Sequence, residues 1–202
     1  MSKLMLRVSM IALFTVTASL LFFACASAPK EEIAATQAAI QAAQIDDVRT
    51  YAADSLKVAE DTLSKAMAEV QTQDDKFAMS RDYKAASDLL KAAKDEAAKA
   101  VSDAQGNKAK AKADAEAILA TLPTLFADAA KTLATAPKGK DTKAELEALA
   151  ADLKSAEEAA ASANVAMTQE KFADALAQAN TAKSKADSVI AQVNAAKEKM
   201  KR

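Results

Sequence analysis

The chain has 202 residues, 27 Lys and Arg against 28 Asp and Glu, no histidine, one cysteine and two glycines. That inventory removes the commonest general base and the His and Cys ligands of zinc sites, and it leaves no glycine-rich loop to cradle a phosphate. Its charges are interspersed rather than gathered into a basic stripe, which argues against a nucleic-acid surface.

The chain opens like an exported protein. Lys3 and Arg7 form a positive n-region, an apolar run extends from Val8 to Phe23, and small residues from Ala24 to Ala28 precede Pro29-Lys30-Glu31-Glu32. This order is that of a secretory signal peptide. Ala24-Cys25 at its end looks like a bacterial lipobox, in which Cys25 takes a thioether-linked diacylglycerol, is cut on its N-terminal side and is acylated, as with palmitate, on the new amine. Leu21 stands one position further out than that pattern prefers, and Phe22 and Phe23 fill the positions between. Three alternatives stand beside this one. Ordinary signal peptidase has an A-x-A site before Ser27. An uncleaved anchor would need about 20 apolar residues, more than the run provides. A disulfide is excluded within the chain because there is no second cysteine. The expected layout is therefore a signal peptide over 1–24 and a lipidated tether over 25–29. Ala26 rather than Asp after the cysteine favours the outer membrane, facing the periplasm, in a two-membrane cell.

From Cys25 onward the charge is 25 basic against 28 acidic residues, and 55 of all 202 residues are alanine. Alanine has the highest helix propensity, but an alanine seam buries little apolar area. These properties predict an all-α chain: an elongated antiparallel helical bundle of coiled-coil-like hairpins closed by Ala-rich seams. Residues 30–45 read as a first helix on Ile33 and Ile40, interrupted by Asp46-Asp47, with an N-cap at Asp54 or Ser55 for the next. Leu56, Ala59, Leu63, Ala66 and Val70 form a second stripe, weakened at 71–75. Tyr83, Ala86, Leu90, Ala93, Ala97 and Val101 form a third, with Gly106-Asn107 as a stop signal that a helix can also pass. Residues 30–106 are thus expected as one hairpin domain.

Residues 107–136 are expected as a helical connector carrying Ile118, Leu119, Leu122, Leu125, Phe126 and Leu133, kinked or split at Pro123. Pro137-Lys138-Gly139-Lys140 reads as a loop, and Thr142-x-x-Glu145 as a capping box opening a C-terminal hairpin over 140–202. Its last arm carries Phe172, Ala175, Ala179, Ala182, Ala186 and Ile190, which superimpose on Tyr83 to Val101 as an internal repeat would.

Pro29 with its acids, Tyr51-Ala-Ala-Asp-Ser-Leu56-x-x-Ala59-Glu60-x-x-Leu63-x-x-Ala66 and Asp82-Tyr83-x-x-Ala86 resemble a bacterial family known only as domain of unknown function 4398, over about residues 29–104. The resemblance implies a small helical envelope lipoprotein. It implies no catalytic, cofactor-binding or metal-ligating residue, and none is expected from the chain itself. The expected role is a lipid-anchored structural spacer or protein-interaction adaptor in the periplasm, with an envelope protein or peptidoglycan as partner and no nucleic acid. Alanine heptads suit packing between copies as well as within one, so a homo-oligomer belongs to this expectation. The alternative is a periplasmic carrier or chaperone holding extended or apolar ligands against Leu122, Leu125, Phe126 and Leu133. An open groove on those four residues points to the carrier, and a closed one to the spacer.

Overall fold

The computed structural model describes residues 27–137 and 142–201, so the signal segment, Cys25 and Gly139 lie outside the described residues. The described chain is an all-α helical bundle with no strand among the described residues. Its helices are α1 (Lys30–Ala43), α2 (Asp46–Tyr51), α3 (Ala53–Asp74), α4 (Lys84–Ala134), α5 (Lys143–Thr168) and α6 (Phe172–Lys201). A short 3-10 turn, Ala78–Ser80, lies between α3 and α4. The chain divides into two compact units between Asp103 and Ala104.

In the first unit, α1 and the N-terminal part of α4 run parallel, with α3 antiparallel to both. Thr36 lies against Leu90, where its hydroxyl donates to the Leu90 carbonyl at 3.2 Å. Val70 packs with Tyr83 and Ala86, and Ala28 and Ile33 close over them. Ser55, in the first turn of α3, donates to the Asp103 carboxylate at 2.7 Å. That bond corrects an expectation: neither Asp54 nor Ser55 caps α3, which starts at Ala53 behind Ala52 with no side-chain cap. The break after α1 also falls earlier than expected. Ile45 is extended, and Asp46 and Asp47 occupy the first turn of α2, where carboxylates complement the helix dipole.

The second unit repeats this order with the rest of α4, α5 and α6. Ala115 meets Ala166 and Ala175 at one level, and Leu122 meets Ala159, Ala160 and Ala182 at the next. Ala129 and Ala136 pack with Leu149, Leu153, Val189 and Val193 beyond them. The rising α4 and α6 numbers and falling α5 numbers make α5 antiparallel to the other two. Alanine makes the close approach of these helices possible: Ala156, Ala163, Ala175, Ala179, Ala182 and Ala186 have no exposed surface. Residues 107–136 are helical as expected, and they form the first arm of this unit rather than a separate segment.

Gly106 and Asn107 do not stop α4, and neither does Pro123; one helix covers 51 residues. Its buried positions recur at spacings of three and four from Tyr83 through Ala86, Leu90, Ala93, Ala97 and Ala100 to Ala104. That unbroken heptad outweighs one glycine, whose helical penalty is only about 1 kcal/mol. A methyl group built on Gly106 meets nothing within 4 Å. Gly106→Ala is therefore expected to stabilise the chain by about 0.5–1 kcal/mol, measured as a rise in urea midpoint at constant slope.

The expected capping box at Thr142 does not form; its hydroxyl donates to the Pro137 carbonyl at 3.2 Å, and α5 begins without a side-chain cap bond. The α5–α6 turn closes as a Schellman motif, with Lys171 N–H donating to Ala166 O at 3.0 Å and Glu170 in the left-handed region at φ 58°. The superposition read from sequence holds in burial. Tyr83 and Phe172, then Ala86 and Ala175, Leu90 and Ala179, Ala93 and Ala182, and Ala97 and Ala186 are buried in pairs, and Val101 and Ile190 are half-buried.

Candidate functional site

Of the four residues expected to line a ligand groove, Leu122 is interior. It is 2% exposed among Ala159, Ala160 and Ala182, with Leu125 and Phe126 half-buried against the same cluster. Phe126 also reaches the neighbouring cluster around Val189 and Val193. Leu133 is different. It lines an open apolar groove of about 660 Å³ between α4 and α5, together with Ala130, Leu146 and Leu153, with Lys143 and Glu147 at its edge. Lys143 and Glu147 stand 3.8 Å apart as an exposed ion pair.

Tyr83 and Phe172 are buried just before and at the start of their helices. Phe172 is buried at the start of α6 with the Lys112 ammonium 5.6 Å from its ring centre, a cation–π contact. The acid pairs do not converge. Asp46 faces Arg49, Asp75 accepts from Gln71, and Glu158 faces Lys154. Among the described residues no group of three or more His, Cys, Asp or Glu is placed to hold a metal ion. The outer faces carry i,i+4 Lys–acid pairs such as Lys84–Asp88, Lys110–Asp114 and Lys183–Asp187, each worth only about 0.2–0.5 kcal/mol.

The densest polar constellation lies where the sequence suggested only a weakened helix, in the connection from Asp74 to Lys84. The Arg81 guanidinium donates to the carbonyls of Asp74 at 2.7 Å and Lys76 at 3.0 Å. Gln73, buried at the end of α3, accepts from the Asp82 N–H and the Lys76 ammonium, both at 3.0 Å. Ser80 bonds the Phe77 carbonyl through its hydroxyl and its backbone N–H, each at 2.8 Å. Asp82 caps α4 by accepting from the Lys84 N–H at 2.9 Å. The Tyr83 hydroxyl donates to the Asp74 carboxylate; that bond first, and burial second, raise the tyrosine pKa above its ordinary value.

This loop flanks the tether. A polar cleft of about 820 Å³ is lined by Ser27 to Glu32 on one side and Asp74, Arg81, Tyr83 and Ser87 on the other. Two side chains take no part in the bonding. Phe77 is 76% exposed and Met79 75%, the most exposed large apolar residues described. The signal for them was present in the sequence: Lys76-Phe-Ala-Met-Ser-Arg81 puts two large apolar residues off the heptad in a chain that has few.

No protein family, curated protein or solved structure matched the chain in comparison with known proteins.

Proposed function

We propose that the chain is a lipid-anchored envelope protein acting as a structural spacer or protein-interaction adaptor in the periplasm, held in the outer membrane by acyl chains on Cys25. The observation that carries the spacer reading is the closure of Leu122, with Leu125 and Phe126, inside the second unit. The outer helix faces, laced with lysines and acids, suit a solvated structural element better than a chemical site. Kinship of residues 29–104 with the unknown-function family belongs to the same proposal and adds no mechanism.

The test is intact-mass spectrometry of protein extracted from membranes of a bacterium that processes it. The expected product begins at Cys25 and carries a diacylglycerol and an amide-linked acyl chain. A product beginning at Ser27 without lipid, recovered in the soluble fraction, overturns the anchor. The carrier reading draws on a separate observation, the open groove at Leu133, Leu146 and Leu153. Co-purifying apolar ligand, lost in Leu146→Lys, is the result that reading requires.

A further inference from the structure

We propose that the turn carrying Phe77 and Met79 is a membrane-contacting loop, its two side chains inserted into the interface of the bilayer that holds the lipid on Cys25. This rests on the lipid-anchor reading and adds to it a second, protein-made contact with the same membrane.

The first argument is the construction of the loop. The α3–α4 connection is braced by the side chains of Arg81, Gln73, Ser80 and Asp82, each bonded to a backbone group of the connection, and by Tyr83, bonded to the Asp74 carboxylate. The largest apolar side chains are turned out. A flexible turn could fold such groups back onto the unit, whereas this one holds them in solvent at three-quarters exposure. Exposing a phenylalanine forgoes the favourable burial of its ring, which an apolar phase at the loop would restore.

The second argument is position. Ala28 packs on the cluster of Val70, Tyr83 and Ala86 beneath the loop, and Ser27 lines the cleft that Asp74 and Arg81 close. Cys25 is two residues from Ser27, a chain length of at most about 7 Å. An acylated Cys25 therefore brings this end of the first unit to the bilayer surface, within the roughly 5–10 Å depth that interfacial apolar groups occupy. Of the other exposed large residues, Ile45 and Val58 are in the first unit near the start of α3 and Val165 is in the second, while Met67, on α3 one turn before Val70, is only 38% exposed against 76% for Phe77 and 75% for Met79.

The third argument is energetic. Two side chains are too few to recruit a soluble protein to a membrane. Held by a fold whose tether at Ser27 and Ala28 is only a few residues from the lipid, they act at an effective concentration on the order of millimolar or above, and each contributes without a recruitment cost. Charge is not the driving force, since Lys76, Arg81 and Lys84 are set among Asp74, Asp75 and Asp82. The contact should form on zwitterionic as well as anionic bilayers and change little with salt.

The chain contains no tryptophan, so Phe77→Trp supplies a single optical probe on the loop. The full chain is purified from a bacterium that acylates it, its mass recorded, and the protein reconstituted into phosphatidylcholine vesicles with and without brominated acyl chains. Val165→Trp, in the second unit, is the reference, and Met79→Trp repeats the measurement on the other side chain. The expected result is a blue-shifted emission for the loop variants that brominated lipid quenches, with the reference unshifted and unquenched. A loop indole as water-exposed and unquenched as the reference, on protein whose mass shows the lipid, overturns the proposal and leaves the anchor standing. Quenching on protein whose mass shows no lipid supports the loop contact and removes the anchor.

Discussion

Leu122→Ala is expected to destabilise the second unit by about 2–5 kcal/mol, the range for truncating a buried leucine. Leu122 is packed against Ala159, Ala160 and Ala182, with Ile118, Leu119, Leu125 and Phe126 half-buried around them. The alanines have no atoms with which to fill the space, and how far those four larger side chains relax into it sets where in that range the cost falls. Urea unfolding with hydrogen exchange on peptides from Ala104 onward separates this loss from the first unit. Protection that survives there, with an unmoved midpoint, would show that the leucine is not the keystone of its level.

The adjacent residue should behave in the opposite sense. Pro123→Ala is expected to stabilise the chain by up to about 3 kcal/mol, the difference between proline and alanine in a helix interior. Pro123 is exposed, so the change empties no core, and α4 is already continuous through it. An alanine there restores the N–H that donates to the carbonyl of Leu119 and removes the ring that crowds it. The check is a higher urea midpoint at unchanged slope. A lower midpoint would mean that the ring makes a contact worth more than the helical hydrogen bond.

The heptads were legible because burial in this chain obeys a simple rule: one residue in each three-or-four step faces the seam, and alanine or leucine marks it. Thus the stripes from Leu56 to Val70 and Tyr83 to Ala97 could be read in outline, while Ala100 rather than Val101 takes the next seam position and Thr62 lies deeper than Leu63. The ends of the helices were not legible, because side chains suited to capping are used elsewhere. Ser55 reaches across to Asp103, Thr142 turns back to Pro137, and Ala52 and Glu170 stand where a Ser or a Gly would be looked for. Gly106, left open as a stop, and Pro123, left as a kink or a split, do not end the helix, because a penalty of a few kcal/mol, decisive in a short helix, is outweighed in one of 51 residues. Of the four apolar residues chosen by hydrophobicity, Leu122 is buried and Leu125 and Phe126 half-buried by that same property, while Leu133 lines an open groove. Phe77 and Met79 are marked in the sequence only by their failure to fit the period; the hydrogen-bonded loop that carries them accounts for their exposure.

The alanine seams have a consequence for temperature. The heat capacity of unfolding grows with the apolar area that becomes hydrated, at about 0.45 cal/mol/K per Å². A seam built of methyl groups such as Ala93, Ala97, Ala163 and Ala179 releases little of that area when it opens. The free energy of such a fold is a shallow arch over temperature rather than a steep dome, modest at its summit and slow to fall on either side. Such a fold keeps its shape through cold and warmth alike on a small margin.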